Sequence, residues 1–180
     1  SLHEFQQYVD SNNLNLFMTI KPSLFETNPF LLSRETTLVE YAIFYGSLNI
    51  LKFLYENQVE LTSSLWIYSV HSQNINAIHF IEQKSFKVKE KVFIYAMLEA
   101  VRCLHKNVAD YIMDNYIKYH NLHIEGQIAL QSIKDFNYEF FPHSFDFNHF
   151  FYLCKRGYFY LVQLILVKHP IELNTRIISF

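Results

Sequence analysis

Apolar residues recur three and four positions apart in several short stretches of the chain. In Ile50–Tyr55 and again in Val108–Tyr116 this spacing places the apolar side chains along one stripe of a helix. Ile75–Glu82 and Leu161–Lys168 repeat the pattern. Helices of about eight to twelve residues are marginal by themselves in water. We therefore expect these helices to be stable only when they stack on one another.

The helical segments repeat along the chain. Tyr41–Leu54 aligns with Tyr68–Ile81 at an offset of 27 residues. A third copy begins at Tyr95, a further 27 residues on, although its second helix arrives about four positions late. A fourth copy spans Tyr152–Ile165. The periodicity predicts an all-α array of about four to five helix-turn-helix units.

Turn residues support this prediction. The chain has only three glycines and four prolines, fewer than a sheet-rich fold normally uses in its hairpins. Gly46 and Gly157 fall between the two helices of a copy, where glycine permits a left-handed turn.

Thr37–Leu54 resembles an ankyrin repeat, with a threonine at its opening, the small residue Ala42, then Gly46 and an outer helix. More narrowly, the chain is similar to a divergent ankyrin-like domain of unknown function that is abundant in protist proteins. The segments that carry this second resemblance are Leu65–His71, Cys103–Ile112 and Phe136–Phe140. The resemblance covers roughly residues 30–180 and implies a helical solenoid.

The chain also departs from the ankyrin pattern. The Thr-Pro-Leu-His opening is degenerate in every copy, and the Gly-Ala-Asp hairpin after the outer helix is missing. Gln58–Leu61 and Ser85–Val88 stand in its place. We expect the projecting hairpins to be short or absent, which puts binding through hairpin tips in doubt.

Two parts of the chain lie outside the clear repeats. Residues 1–35 are predicted to form an N-terminal helical cap, with helices at Leu2–Asp10 and Leu14–Ile20 and then a loop containing Pro22 and Pro29. The array is expected over 36–180, with repeats near 36–62, 63–88, 89–119 and 147–173. The irregular segment 120–146 is expected to hold a helix at Ile124–Lys134 and an aromatic stretch. This aromatic stretch is Phe136–Phe147. Near the C-terminus, Ile171–Asn174 has the pattern of a link into a further repeat.

Composition narrows the classes of partner. The net charge is -2 and the sequence pI is about 6.5, so no basic face for nucleic acid is expected. No apolar run reaches the roughly 18–20 residues of a membrane span. The 18 phenylalanines and 13 tyrosines leave two interpretations open, which are exposed rings that recognise a partner and a compositional bias of the genome.

The two cysteines, Cys103 and Cys154, lie in apolar surroundings and are predicted to be small buried core residues in a reducing, cytoplasmic compartment. Cys103 and His105 are two positions apart, so on one helix they would point to different faces and would not meet. Trp66, the only tryptophan, takes the place of Val39 in the next repeat and is predicted to pack in the core.

No catalytic or cofactor motif is present, so we expect neither an enzyme nor a bound cofactor. The histidines that invite a metal hypothesis have no cysteine at the tight spacing of closed zinc sites. No metal is therefore expected at this group, which comprises His120 and His123 with Glu125 beyond, and His143 and His149.

The resemblance implies where a partner would bind. In an ankyrin-like array, the two residues before each inter-helix turn point outward from a concave wall. We call these eight residues the concave strip: Phe44, Tyr45, His71, Ser72, Leu98, Glu99, Lys155 and Arg156. An alternative is that Phe44 and Tyr45 pack against the cap. The function expected is a non-catalytic, monomeric module that binds a protein partner. The alternative is a structural spacer packed within a longer ankyrin-repeat protein.

Overall fold

The computed structural model describes residues 1–84, 88–117, 122–141 and 147–168. These residues are mostly helical and include little strand, which confirms the all-α prediction. The chain divides into two compact units, Ser1–Lys118 and Tyr119–Phe180, and each is described by itself below. Among the helices of the described ranges, none combines the length and apolarity needed to cross a bilayer.

The N-terminal segment is only partly helical. Helix α1 (Leu2–Asn12) begins at a capping box in which the Ser1 and Glu4 side chains each accept from the other's backbone. The helix predicted at Leu14–Ile20 is wrong. Its last two residues form strand β1 (Thr19–Ile20), which pairs antiparallel with strand β2 (Thr36–Thr37). The physical reason is local, because the Asn15 side chain accepts from the Phe17 N–H at 3.0 Å and so competes with helix formation.

A short helix completes the N-terminal segment. Helix α2 (Pro29–Leu32) has proline at its first position, where the missing N–H costs nothing, and Asn28 accepts from the Phe30 N–H at 2.9 Å. Phe30 and Leu31 on this helix are buried. The helix therefore carries apolar side chains onto the first repeat.

Three helix pairs follow in the first unit. They are α3 (Leu38–Phe44) with α4 (Leu48–Glu56), α5 (Leu65–Ser72) with α6 (Ile75–Gln83), and α7 (Glu90–Arg102) with α8 (Lys106–Tyr116). Helix α3 packs on α5 and α5 packs on α7, and each of them also packs on the helix that follows it in the chain. The first two pairs begin 27 residues apart, as the sequence repeat predicts.

The turns between paired helices share one backbone conformation. Gly46 and Gly157 have φ values of +65° and +72°, and Gln73 and Leu104 take the same left-handed region at +49° and +61°. The predicted role of the two glycines is thereby confirmed. Between α4 and α5 the connector forms no strand over 57–64, so no hairpin projects there. Residues 85–87, the other predicted hairpin position, lie outside the described ranges.

The core of the first unit runs along the inner faces of these helices. Leu51 and Leu54 of α4 are fully buried, as are Ile78 and Ile81 of α6 to within 1%. Trp66 is 2% exposed and lies with its ring centroid 4.8 Å from those of Phe93 and Tyr116. The prediction that Trp66 packs in the core is confirmed.

The second unit has its own small core. It contains α9 (Leu122–Lys134), a 3₁₀ turn at Tyr138–Phe140, α10 (Phe147–Arg156) and α11 (Phe159–Lys168). Helix α9 confirms the predicted Ile124–Lys134 helix and begins two residues earlier. Ile133, Leu153 and Ile165, one from each α-helix, are at most 2% exposed and pack together. Residues 142–146 of the aromatic stretch and Ile171–Asn174 lie outside the described ranges.

Candidate functional site

The C-terminal ends of α3, α5 and α7 surround an open pocket of about 500 Å³. It combines the first two residue pairs of the concave strip with side chains from the cap and from the α7–α8 turn. Its lining residues are Asn28, Phe44, Tyr45, His71, Ser72, Cys103 and His105. Successive repeats therefore contribute equivalent positions to a single concavity in the first unit.

Phe44 does not point outward as the strip predicts. It is only 6% exposed, and its ring stacks on Phe30 of the cap at 5.8 Å and on His71 at 4.6 Å. The alternative of packing against the N-terminal segment is correct for this residue. The cause is α2, whose Phe30 covers the ring and removes it from solvent.

Tyr45 is the exposed aromatic side chain at the rim of the pocket. It is 54% exposed, and its hydroxyl donates to Glu26 Oε2 at 3.4 Å. The Tyr41 hydroxyl donates to the same oxygen at 2.7 Å. The backbone N–H of Asn28 and the Tyr41 hydroxyl hold the pKa of the Glu26 carboxyl below its ordinary value. The ionised carboxylate is an acceptor that helps to hold Tyr45 in place.

The third pair of the strip needs a correction of register. Helix α7 has 13 residues where α5 has 8, so the left-handed turn residue is Leu104, four positions later than a strict 27-residue repeat predicts. The residues equivalent to His71 and Ser72 are therefore Arg102 and Cys103. Leu98 and Glu99 lie about one helical turn earlier. The sequence contains a signal for this shift, because the second helix of the third copy begins later than a strict 27-residue repeat predicts.

Glu99 nevertheless contacts His71, which is one of the residues that line the pocket. Its carboxylate Oε1 lies 3.0 Å from His71 Nε2, and the two side chains are 14% and 9% exposed. Arg102 Nη2 donates to the same Oε1 at 2.6 Å. Burial raises the pKa of Glu99, but the contacts with His71 and Arg102 outweigh it and hold the pKa below its ordinary value. The carboxylate is thus ionised at neutral pH.

Cys103 joins His71 and Glu99 to form a compact cluster. Its Sγ lies 3.6 Å from His71 Nδ1 and 3.8 Å from Glu99 Oε1. The prediction that both cysteines are buried core residues is wrong, because Cys103 is half-buried and Cys154 is exposed. The sequence pattern predicts Cys103 inside a helix, whereas in the structure α7 ends at the residue before it.

His105 lies on the other side of the same turn, and both of its ring nitrogens are hydrogen-bonded. Its Nδ1 bonds the Val70 carbonyl at 2.8 Å and its Nε2 bonds the Gln73 amide nitrogen at 2.6 Å. Because a carbonyl only accepts, Nδ1 carries the proton and Nε2 accepts from Gln73. His105 therefore ties α8 to the α5–α6 turn. Cys103 therefore forms its thiol–imidazole contact with His71 and not with His105.

The last pair of the strip belongs to the second unit. Lys155 and Arg156 are exposed at the C-terminal end of α10, and the Arg156 guanidinium lies 5.5 Å from the centre of the Tyr152 ring. Cations at a helix C-terminus are favoured by the helix dipole. Both side chains are therefore accessible to solvent at this end of α10.

A second, smaller cavity of about 280 Å³ lies near Trp66, Glu82 and Tyr116. Glu82 accepts from the hydroxyls of Tyr111, at 2.5 Å, and Tyr116, and from His79 at 2.6 Å. Burial and the bond to this carboxylate raise the pKa of Tyr111 to about 12. The network ties α6 to α8, so its evident role is to join two neighbouring helices.

The histidines considered for a metal lie elsewhere. His120 and His143, and the side chain of His123, fall outside what the structure describes. Glu125 is exposed, and His149 is 5% exposed with Nε2 3.4 Å from the Gly126 carbonyl oxygen. No known protein family, curated protein or solved structure matches the chain.

Proposed function

We propose that this chain is a non-catalytic protein-binding module, built as an ankyrin-like helical solenoid, that binds its partner at the part of the concave strip that lines the first-unit pocket, with Tyr45 at its rim. The observation that carries the proposal is Tyr45, a large exposed ring at the rim of an open pocket. The pocket is lined by equivalent positions of successive repeats. Stacked repeats create extended concave surfaces of this kind, which repeat proteins use for binding.

The chemistry of the pocket suits a protein partner. A tyrosine brings a large contact area at a low cost in conformational entropy and is enriched among residues that dominate binding energy. Asn28 and Ser72 lie beside it and make part of the pocket lining polar, with Asn28 Oδ1 accepting from the Phe30 N–H and the Ser72 hydroxyl bonded within its own turn. An aromatic anchor next to polar groups in a concavity is typical of the central part of a protein interface.

The test is a crosslinking experiment with a matched pair of variants. A tagged chain is incubated with cell lysate, crosslinked and analysed by mass spectrometry, beside Tyr45→Ala and Tyr55→Ala. Tyr55 is 41% exposed on α4 and does not line the pocket. We expect one retained protein to be lost with Tyr45→Ala and kept with Tyr55→Ala. Its crosslinks should map to the α3, α5 and α7 ends.

Two outcomes count against the proposal. Equal retention by both variants would place the binding surface away from Tyr45. Unfolding of Tyr45→Ala, measured by circular dichroism, would show that the ring is structural. In that case Ser72→Arg, which introduces bulk at the pocket wall, provides the second test of the same surface.

A second candidate function is a spacer packed within a longer ankyrin-repeat protein. The observation that favours it is the apolar surface of α11, where Phe159, Tyr160 and Val167 are 67%, 85% and 81% exposed. A following repeat would cover such a surface. Hydrogen exchange of α11 should then be much slower in a longer natural chain than in these 180 residues alone. Equal exchange in both would remove this candidate.

A further inference from the structure

The cluster of His71, Glu99 and Cys103 brings three potential metal ligands together in the first unit. One donor atom from each lies within 4.8 Å of the other two. Bonds of about 2.0–2.3 Å in a tetrahedral zinc site place two ligand atoms about 3.4–3.6 Å apart. The 3.6 Å between Nδ1 and Sγ and the 3.8 Å between Sγ and Oε1 are close to two of those edges, whereas Oε1 contacts the other ring nitrogen, Nε2, at 3.0 Å. Side-chain movements that bring one nitrogen of His71 to both other donors would place all three on one ion.

His71 is the second observation that points to a ligand. Its side chain is 9% exposed and lines the pocket. Although Nε2 lies 3.0 Å from Glu99 Oε1, it makes no hydrogen bond of acceptable geometry. A buried polar nitrogen without a hydrogen bond is costly. Metal binding at this imidazole would let the carboxylate, the thiol and the ring settle around a common centre.

The donor set selects the class of metal. An imidazole nitrogen, a carboxylate oxygen and a thiolate sulfur together suit Zn²⁺ and related transition metals, whereas Mg²⁺ and Ca²⁺ prefer oxygen alone. We propose that His71, Glu99 and Cys103 form a three-ligand site for a divalent transition metal of the zinc class. His71 and Cys103 line the open pocket, so the fourth position is accessible from it. The site would therefore remain open to water or to a donor atom of another molecule.

Neighbouring charges are compatible with this assignment. Arg102 donates to Oε1 of Glu99, but a carboxylate has a second oxygen and about four lone-pair sites. Ligating carboxylates are themselves commonly hydrogen-bonded, which orients them. His105 is not a ligand, because the Val70 carbonyl and the Gln73 amide already engage both of its nitrogens.

The same three residue types also occur in nucleophilic cysteine triads, in which the carboxylate contacts only the imidazole. Here Glu99 contacts both the imidazole and the thiol, so the cluster is a triangle. The Cys103 thiol lies 3.8 Å from Glu99 Oε1, a contact that the carboxylate of such a triad does not make. Three donors that face one another in this way favour a metal site over a triad.

The proposal does not depend on partner binding, and its test uses metal alone. The purified 180-residue chain is stripped with a chelator and titrated with Co²⁺ and then Zn²⁺. We expect one equivalent of Co²⁺ to give a thiolate-to-cobalt charge-transfer band, which Zn²⁺ displaces. Cys103→Ser and Glu99→Gln, both close in shape to the natural residues, should weaken binding by at least about 10–100-fold. Cys154→Ser, which removes the other free cysteine, should leave the titration unchanged.

A second measurement needs no variant and so does not depend on variant folding. Alkylation of the natural chain by iodoacetamide is followed by mass spectrometry with and without Zn²⁺. We expect Zn²⁺ to slow the reaction of Cys103 at least about tenfold, while the exposed Cys154 serves as the internal control and is unaffected. The site would be overturned if no cobalt–thiolate band appeared, or if Zn²⁺ did not protect Cys103 from alkylation. Rapid metal-independent alkylation of Cys103 that His71→Ala abolishes would instead identify a nucleophilic pair.

Discussion

Two turns with the same local structure lie in different surroundings. Gly46 joins α3 to α4 in the first unit, and Gly157 joins α10 to α11 in the second. Each glycine N–H donates to the carbonyl three residues earlier, at 2.9 Å and 3.1 Å. The next N–H in each donates five residues back, at 2.9 Å and 3.0 Å. This hydrogen-bond pattern is the helix C-terminal motif that favours a left-handed glycine.

Tertiary packing separates the two turns. A Cβ added at Gly46 would lie 3.2 Å from the Asn74 Cβ and 3.3 Å from the Ser72 Cβ, whereas one added at Gly157 would meet no heavy atom of the described residues within 4 Å. The Asn74 side chain also donates to the Gly46 carbonyl at 2.8 Å. The next repeat therefore closes over the first turn, and no comparable contact at Gly157 comes from the part of the chain that the structure describes.

The helices that follow these turns differ in the same way. In α4, Leu51 and Leu54 are fully buried. In α11, the aligned residues are Val162 and Ile165. Ile165 is 2% exposed, but Val162 is only partly buried, and Leu164 beside them is 48% exposed. Similar helix-turn-helix sequences can therefore differ in how much of the second helix is covered, and the stability of such short helices depends on what packs against them.

The largest expected effect comes from removing a leucine side chain from a buried position of α4, compared with removing one from an exposed position of α11. Leu54→Ala should lower the free energy of unfolding by about 2–5 kcal/mol because it opens a cavity in a closed core. Leu164→Ala should cost less than about 1 kcal/mol because the side chain is already half in solvent. Urea unfolding followed by Trp66 fluorescence measures the first, and hydrogen exchange of α11 the second. Equal costs would break the comparison.

The two glycines should show an intermediate difference. Gly157→Ala is expected to cost about 1–2 kcal/mol, since alanine is strained in the left-handed conformation. Gly46→Ala should cost about 1 kcal/mol or more beyond that, because the new methyl also presses on Ser72 and Asn74. Hydrogen exchange with mass spectrometry reads both units on one chain. A larger cost at Gly157 would mean that its surroundings are as crowded as those of Gly46.

The smallest effect on the turn at Gly46 should come from Asn74→Ser. Asn74 accepts from the Asn76 and Ala77 N–H groups and donates to the Gly46 carbonyl. Asn74→Ser keeps a capping hydroxyl but is too short to reach the Gly46 carbonyl. It should cost about 0.5–1.5 kcal/mol, the usual net value of one hydrogen bond. Asn74→Ala removes the cap as well and should cost about 1 kcal/mol more. The shift of the urea midpoint by Trp66 fluorescence measures both. No difference between the variants would show that the cap contributes nothing.

Much of the helical architecture was accessible from the sequence, whereas the candidate site was accessible only in part. The spacing of apolar residues gave the helix pairs, and the glycines marked two of the four turns. Gln73 and Leu104 occupy the other two without a glycine signal. Leu104 was missed because α7 is longer than its predecessors, and this shifted Arg102 and Cys103 into the positions expected for Leu98 and Glu99. The concave strip predicts an exposed Tyr45, and its alternative predicts that Phe44 and Tyr45 pack against the cap, but no pattern in the sequence identifies Phe30 as the residue that covers Phe44.

By itself, the sequence determined the features that short-range physics controls. Helix periodicity, the 27-residue spacing of the first pairs and the left-handed turns at Gly46 and Gly157 depend on neighbouring residues and on backbone sterics. Only the tertiary structure brought His71, Glu99 and Cys103 within 4.8 Å of one another. Glu99 and Cys103 are four positions apart at the end of α7, so their proximity is local, but His71 comes from α5 and its meeting with them depends on how α5 and α7 pack. A change of one helical turn in α7, about 5.4 Å along its axis, is enough to make or separate such a cluster.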